Sequence, residues 1–209
     1  KKVSTTEVMS AYLDRIEKIN PKINAIISMR SRDDLMSEAK ALENTKPKGW
    51  LHGIPIAIKD LAETKGLRTT WGSPIFKDHI PNFDSIVSQR IKNAGAIVIG
   101  KTNTPEFGLG SHSYNPVHGV TLNPYDLTKT AGGSSGGAAA ALAANLLPVA
   151  DGSDMMGSLR NPGAFNNIYG FRPSWGLVPN DSDGDIFMQS LSTCGPKAHN
   201  PTDLAHLLE

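Results

Sequence analysis

A single cysteine, Cys194, stands in 209 residues, so no intrachain disulfide can form, and the chain fits a reducing compartment. Cys194 lies in Ser-Thr-Cys-Gly-Pro with no base nearby, which makes it a structural thiol rather than a nucleophile. No apolar run approaches the ~18–20 residues of a membrane span. Charge of one sign is missing too: 21 basic residues face 20 acidic ones, for a net charge of +1. That balance leaves no electrostatic footprint for nucleic acid or an anionic membrane. The six histidines share no metal-ligand spacing, so no metal is assigned. Asp181-Ser182-Asp183-Gly184-Asp185 begins like a calcium loop, but its glycine is misplaced and the twelfth position, Ser192, is not Glu; a solvated loop is expected. The N-terminus lacks an initiator methionine and a secretory apolar region. The chain is therefore expected to begin inside a longer polypeptide and to be cytoplasmic.

What is present has α/β texture. Ser4-Thr5-Thr6-Glu7 has capping-box spacing, and Val8, Tyr12, Leu13, Ile16 and Ile19 then recur at helical period, predicting a helix to about Asn20. A second amphipathic segment runs from Asp33 to Leu42. Gly53 to Ile58 is short, apolar and β-rich, and reads as a buried strand ending at Lys59-Asp60. A helix over Asp84 to Asn93 and a strand over Ala96 to Gly100 follow, the βαβ pattern of a sheet with covered faces. Residues 111–135 read as loop. Gly136 to Ala144 reads as an alanine-rich helix, and Leu146 to Ala150 as a third apolar strand. A short helix at Pro162 to Phe165, a strand at Ile168 to Phe171 and a helix over Thr202 to Leu208 complete the pattern. The expected fold is α/β, a mixed sheet core covered by helices, with an N-terminal helical segment over 1–49 and a core over 50–209.

The densest segment is Gly132-Gly133-Ser134-Ser135-Gly136-Gly137, followed by Asp154-Met155-Met156-Gly157-Ser158-Leu159-Arg160. Taken alone, the glycine-serine loop reads as a tight turn or a phosphate cradle. It is no P-loop, since no Gly-Lys-Ser/Thr follows, and its glycine spacing fits no dinucleotide fingerprint. Lys59 alone reads as a surface lysine, and Ser158 as a helix cap. Asp154 and Arg160 read as a pair holding the turn.

The three features in order carry more. A lysine ends the Ile54-Pro55-Ile56-Ala57-Ile58-Lys59 strand, the Gly-Gly-Ser-Ser-Gly-Gly loop follows, then Gly157-Ser158-Leu159-Arg160-Asn161-Pro162. Together with Gly95 to Asn103, Asn123-Pro124, Gly170-Phe171-Arg172-Pro173-Ser174 and Gly195-Pro196, this set resembles the amidase signature family over nearly the whole chain. The resemblance implies a hydrolase that cleaves a carboxamide C–N bond without a cofactor, acting on a small-molecule amide. It implies Lys59 as general base, Ser134 as bridging serine after a cis peptide bond, and Ser158 as nucleophile. The backbone N–H groups of Met155, Met156 and Gly157, with that of Ser158, become the oxyanion donors. Ser135 would support the hydrogen bonding without being one of the three.

Two departures stand out. Family members carry Gly-Gly-Ser at the nucleophile, and here Met156 takes the first glycine position; either its backbone is ordinary or the oxyanion donors are rearranged. Members are also considerably longer, so the resemblance implies the N-terminal catalytic half of such an enzyme. The substrate and the oligomeric state, a homo-oligomer included, are left open. The rival readings are the amidase-like subunit of glutamyl-tRNA amidotransferase, a non-catalytic binding protein of the same fold and, more distantly, a nucleotide-binding module.

Overall fold

In the computed structural model, which describes residues 3–181 and 190–209, the capping box sets the first element, α1 (Thr5–Ile23). The Glu7 N–H donates to Ser4 Oγ at 3.1 Å, and the Ser4 N–H donates to Glu7 Oε2 at 2.8 Å. The helix outruns its expected end at Asn20 by three residues, because Asn24 caps it in the left-handed region with φ 51°. Its buried stripe is Met9, Leu13, Ile16 and Ile23, with Val8, Tyr12 and Ile19 half-buried beside it. A two-residue strand, β1 (Ile26–Ile27), leads to α2 (Arg32–Glu43), which packs on α1.

The expected βαβ unit is present. Strands β2 (Pro55–Lys59) and β3 (Ile97–Thr102) are buried at every position, which is why they read as unbroken apolar runs. They pair in parallel, Pro55 opposite Ile97 and Lys59 opposite Thr102, across the connecting helix α3 (Ile86–Asn93). β1 pairs antiparallel to β3, giving a mixed sheet in the order β1-β3-β2.

Residues 111–135, expected as loop, hold two short hairpins. One joins β4 (Tyr114–Asn115) to β5 (Gly119–Val120), the other β6 (Leu122–Asn123) to β7 (Asp126–Thr130). The Asn115 side chain, accepting from the Val117 and His118 N–H groups, supplies the first turn, a device no hydrophobic period reveals. Next comes α4 (Gly136–Ala143), buried from Gly136 to Leu142. A Cβ on Gly137 would fall 2.3 Å from the Asn103 nitrogen and 2.7 Å from the Ala25 oxygen, so the paired glycines let this helix press directly on β1 and β3.

A second sheet carries the nucleophile turn. β8 (Val149–Asp154) starts and ends later than the expected Leu146 to Ala150 strand. Leu146 instead closes α4, its N–H donating to the Ala141 oxygen, and the polar half of β8 is held by β10 (Thr193–Ala198). The pairing runs from Thr193 opposite Asp154 to Ala198 opposite Val149. β9 (Tyr169–Gly170) lies on the other side of β10. Between β8 and β9 sits α5 (Arg160–Phe165), and α6 (Pro201–Leu208) closes the chain with Asn200 as its cap. The two sheets meet where the Asp151 carboxylate of β8 accepts the Lys59 N–H of β2 at 3.0 Å, a side chain standing in for a ladder bond. The acidic segment read as a solvated loop lies outside the described residues from 182 on.

Candidate active site

Lys59 stands at the end of β2 with 2% of its surface exposed. Its Nζ donates to three hydroxyls: Ser134 Oγ at 2.7 Å, Ser135 Oγ at 2.9 Å and Ser153 Oγ at 3.0 Å. Burial drives its pKa down from 10.5 to about 8, against the pull of Asp151. A lysine in water is all but fully protonated at neutral pH; this one holds a usable neutral fraction.

The two loop serines differ in what they do with their protons. Ser135 Oγ donates to the Ser153 carbonyl at 3.2 Å, so toward Lys59 it is an acceptor only. Ser134 Oγ bonds to Lys59 alone among the described residues, leaving its proton free to move toward a third group. The Gly133–Ser134 peptide bond is cis, the isomer the resemblance implies. Ser153 belongs to none of the sequence motifs. Its signal is the period of two along β8, which sets Asp151 and Ser153 on the face that meets Lys59.

Ser158 lies just before α5 and is half-buried. Its carbonyl accepts the Ser135 N–H at 3.3 Å, tying the nucleophile turn to the serine loop. Its Oγ makes no hydrogen bond among the described residues. The structure thus joins Lys59 to Ser134 directly and brings the Ser158 backbone to the same loop, without closing a Ser158–Ser134 hydroxyl bond. Leu159, not Ser158, takes the cap position of α5.

The turn is built around Asp154, whose side chain is fully buried. It accepts from the Gly157 N–H at 2.8 Å, the Leu159 N–H at 3.1 Å, Arg160 Nε at 2.9 Å and Arg172 Nη1 at 2.8 Å. Burial alone would raise the pKa of this carboxyl, but Arg160, the Gly157 N–H, Arg172 and the Leu159 N–H together hold it well below the carboxylate range. The expected Asp154–Arg160 pair is therefore present, and Arg172, from the Gly-Phe-Arg-Pro-Ser motif, completes it. Asp154→Asn is expected to cost on the order of 2 kcal/mol, since both guanidiniums reach solvent and are screened there; a denaturant titration at pH 7 reads it. The contribution of the carboxylate is full above about pH 4, the unfolded value, and is lost only as pH falls through the lower folded value.

Of the expected oxyanion donors, the Gly157 N–H is already engaged by Asp154, whereas the Met155 and Met156 N–H groups have no protein acceptor among the described residues. Met156 does not adopt a positive φ; that conformation falls on Gly157, at φ 116°, where a Cβ would lie 2.6 Å from the Asn161 amide. The ordinary-backbone alternative for Met156 holds, and its side chain, 85% exposed, points away from the core.

Cys194 sits opposite Ser153 in the β8–β10 ladder, and burial pushes its thiol up to about 11, which leaves it a poor nucleophile. A cavity of about 530 Å³ opens beyond Asp151 and Cys194, among Trp50, Ile91, Leu177 and Leu207, and holds none of the predicted site residues. Among the described residues no three His, Cys, Asp or Glu side chains gather to hold a metal, and no helix is long and apolar enough to cross a membrane.

Comparison with known proteins places this geometry. The chain is similar to the amidotransferase component that acts with glutamyl-tRNA(Gln) in its name, the A component from Sulfurisphaera tokodaii, 44% identical over 209 residues, covering 99% of this chain and 43% of that protein. It superposes on 6-aminohexanoate cyclic dimer hydrolase with a TM-score of 0.90 at 31% identity, covering 99% of this chain and 43% of the other. Peptide amidase from Stenotrophomonas maltophilia matches with a TM-score of 0.89 at 34% identity, over 99% of this chain and 44% of that one. The chain therefore spans less than half the length of the relatives it matches. The Amidase family model matches residues 7–209, and the chain belongs to that family, the amidase signature enzymes.

Proposed function

We propose that this chain carries the catalytic residues of an amidase, which hydrolyses a carboxamide to a carboxylate and ammonia or an amine. One observation carries the reading above the others: a buried, partly neutral Lys59 whose shortest hydrogen bond is to Ser134, the hydroxyl with a free proton. Lys59 accepts the Ser134 proton as Ser134 accepts that of Ser158, and Ser158 Oγ attacks the amide carbon. The resulting oxyanion lies on the Met155 and Met156 N–H groups, each donor of this kind contributing about 3 kcal/mol of transition-state stabilisation. The proton returns through Ser134 to the leaving nitrogen, the C–N bond breaks, and water releases the acyl group from Ser158. No step calls for a cofactor. The same reading places the catalytic core in 50–209, the helical segment in 1–49, and the working protein in the cytoplasm.

The second reading is the amidase-like subunit of glutamyl-tRNA(Gln) amidotransferase, favoured by that name on the curated relatives. The side chain of Met156 at the nucleophile turn weighs for the stand-alone amidase, as a departure from what such a subunit carries there. Ammonia release by the protein at its full encoded length separates them, with acetamide, benzamide, an amino-acid amide and glutamine as substrates. An amidase converts at least one of the first three, yielding equimolar ammonia and carboxylate. Turnover of glutamine alone, and only with partner subunits added, selects the second reading. No turnover by folded protein under either condition points to a binding protein.

A further inference from the structure

Lys197 is the third fully buried lysine of this chain, after Lys59 and Lys101, and the mechanism above does not use it. It lies on β10, opposite Ala150 of β8 and Gly170 of β9, so its backbone is fixed from both sides. Its Nζ makes one hydrogen bond among the described residues, to the Leu159 carbonyl at 2.6 Å. Leu159 directly follows Ser158, and its N–H is held by Asp154 from the other side. Room for the amine is made by Gly170: a Cβ there would stand 2.2 Å from the Leu159 oxygen and 3.1 Å from Lys197 Nζ.

An apolar residue of similar length would fill this place without the cost of desolvating an amine. Burial pushes the ammonium down to about 7, with Lys59 adding to the same effect. A stability role alone does not explain a lysine whose sole acceptor is the carbonyl next to the nucleophile. Nor is Lys197 a second base, for no hydroxyl is bonded to it, whereas Lys59 has three.

We propose that Lys197 is a positioning residue: by clamping the Leu159 carbonyl from behind the turn it fixes the direction in which Ser158 Oγ projects. This rests on the reading of Ser158 as nucleophile. Misplacement of a reacting atom by about 1 Å costs on the order of 100-fold in rate, and a turn with one carbonyl released has that freedom.

The test uses the full encoded protein with Lys197→Met, which keeps length and apolar bulk, and Lys197→Gln, whose amide ends short of the carbonyl. Melting temperature, kcat, KM and the second-order rate of fluorophosphonate labelling are measured for each. Lys197→Met is expected to keep or raise the melting temperature, to hold KM within about twofold, and to lose about 100-fold in both kcat and labelling rate. Lys197→Gln is expected to fall between it and wild type, and carries the same comparison should the Met variant not fold. Wild-type kcat and labelling in either folded variant would overturn the proposal. A wild-type protein that neither labels nor turns over any amide would instead remove the hydrolase reading on which it rests.

Discussion

Ser158→Ala should lose about four orders of magnitude or more in kcat while its melting curve stays on that of wild type. Both halves follow from the geometry. Ser158 Oγ is half-buried and bonded to no described residue, so its removal leaves no orphaned partner and opens no core cavity. The expected change in stability is within about 0.5 kcal/mol. The turn itself is held by groups the substitution does not touch: Asp154 on the Gly157 and Leu159 N–H groups, and the Ser158 carbonyl on the Ser135 N–H. The loss is therefore chemical. Without that hydroxyl no acyl-enzyme forms, and what remains is whatever the donors and Lys59 can do for a water molecule. Steady-state kinetics with thermal melts reads both. Retained kcat would move the nucleophile elsewhere, and Cys194, its thiol held protonated by burial, is a poor substitute.

Lys59→Met should be as inactive as Ser158→Ala, and the wild-type rate should climb with pH to a midpoint near about 8. The sign follows from the role of a base. Only the neutral amine accepts a proton, burial brings its pKa to about 8, and so about a tenth is neutral at pH 7. Below the midpoint kcat/KM falls about tenfold per pH unit; above it the rate levels. The charged groups that set this value are Asp151 and Asp154, which favour the ammonium, and Lys197, which opposes it. Stability moves the same way with pH. The folded lysine loses its proton near 8 and the unfolded one near 10.5, so the unfolded chain binds more protons between those values and unfolding becomes harder as pH rises through that window. At neutral pH the buried amine costs on the order of 3 kcal/mol, the differential the shift represents. Lys59→Met removes that cost, and is expected to be at least as stable as wild type at pH 7. A pH–rate profile beside a denaturant titration of the variant tests both. A flat profile from pH 6 to 9, or a variant that keeps its rate, would deny Lys59 the role of base.

The elements legible in the sequence are those whose cause is local. The capping box at Ser4 and the unbroken apolar runs of β2 and β3 state their own structure, because a helix start is a matter of four residues and a strand covered on both faces needs no alternation. β10 is invisible there for the converse reason. Thr-Cys-Gly-Pro-Lys-Ala holds a glycine, a proline and a lysine, and is a strand only because β8 and β9 lie on its two sides. The same pairing extends β8 into polar sequence, where an apolar run could not show it. At the site, Lys59, Ser134 and Ser158 become legible through three motifs in order; by composition alone Lys59 would be one more solvated lysine. Ser153 and Lys197 stay hidden because each acquires its meaning from a partner far along the chain, Lys59 for one and the Leu159 carbonyl for the other.

The most direct measurement is mass spectrometry of the full encoded protein after incubation with a fluorophosphonate. The adduct is expected on a single peptide, at Ser158. It should be absent from Ser158→Ala and should form far more slowly in Lys59→Met. An adduct on Ser134, Ser135 or Ser153, or none at all on folded wild-type protein, would contradict the assignment of an activated Ser158 with Lys59 as its base.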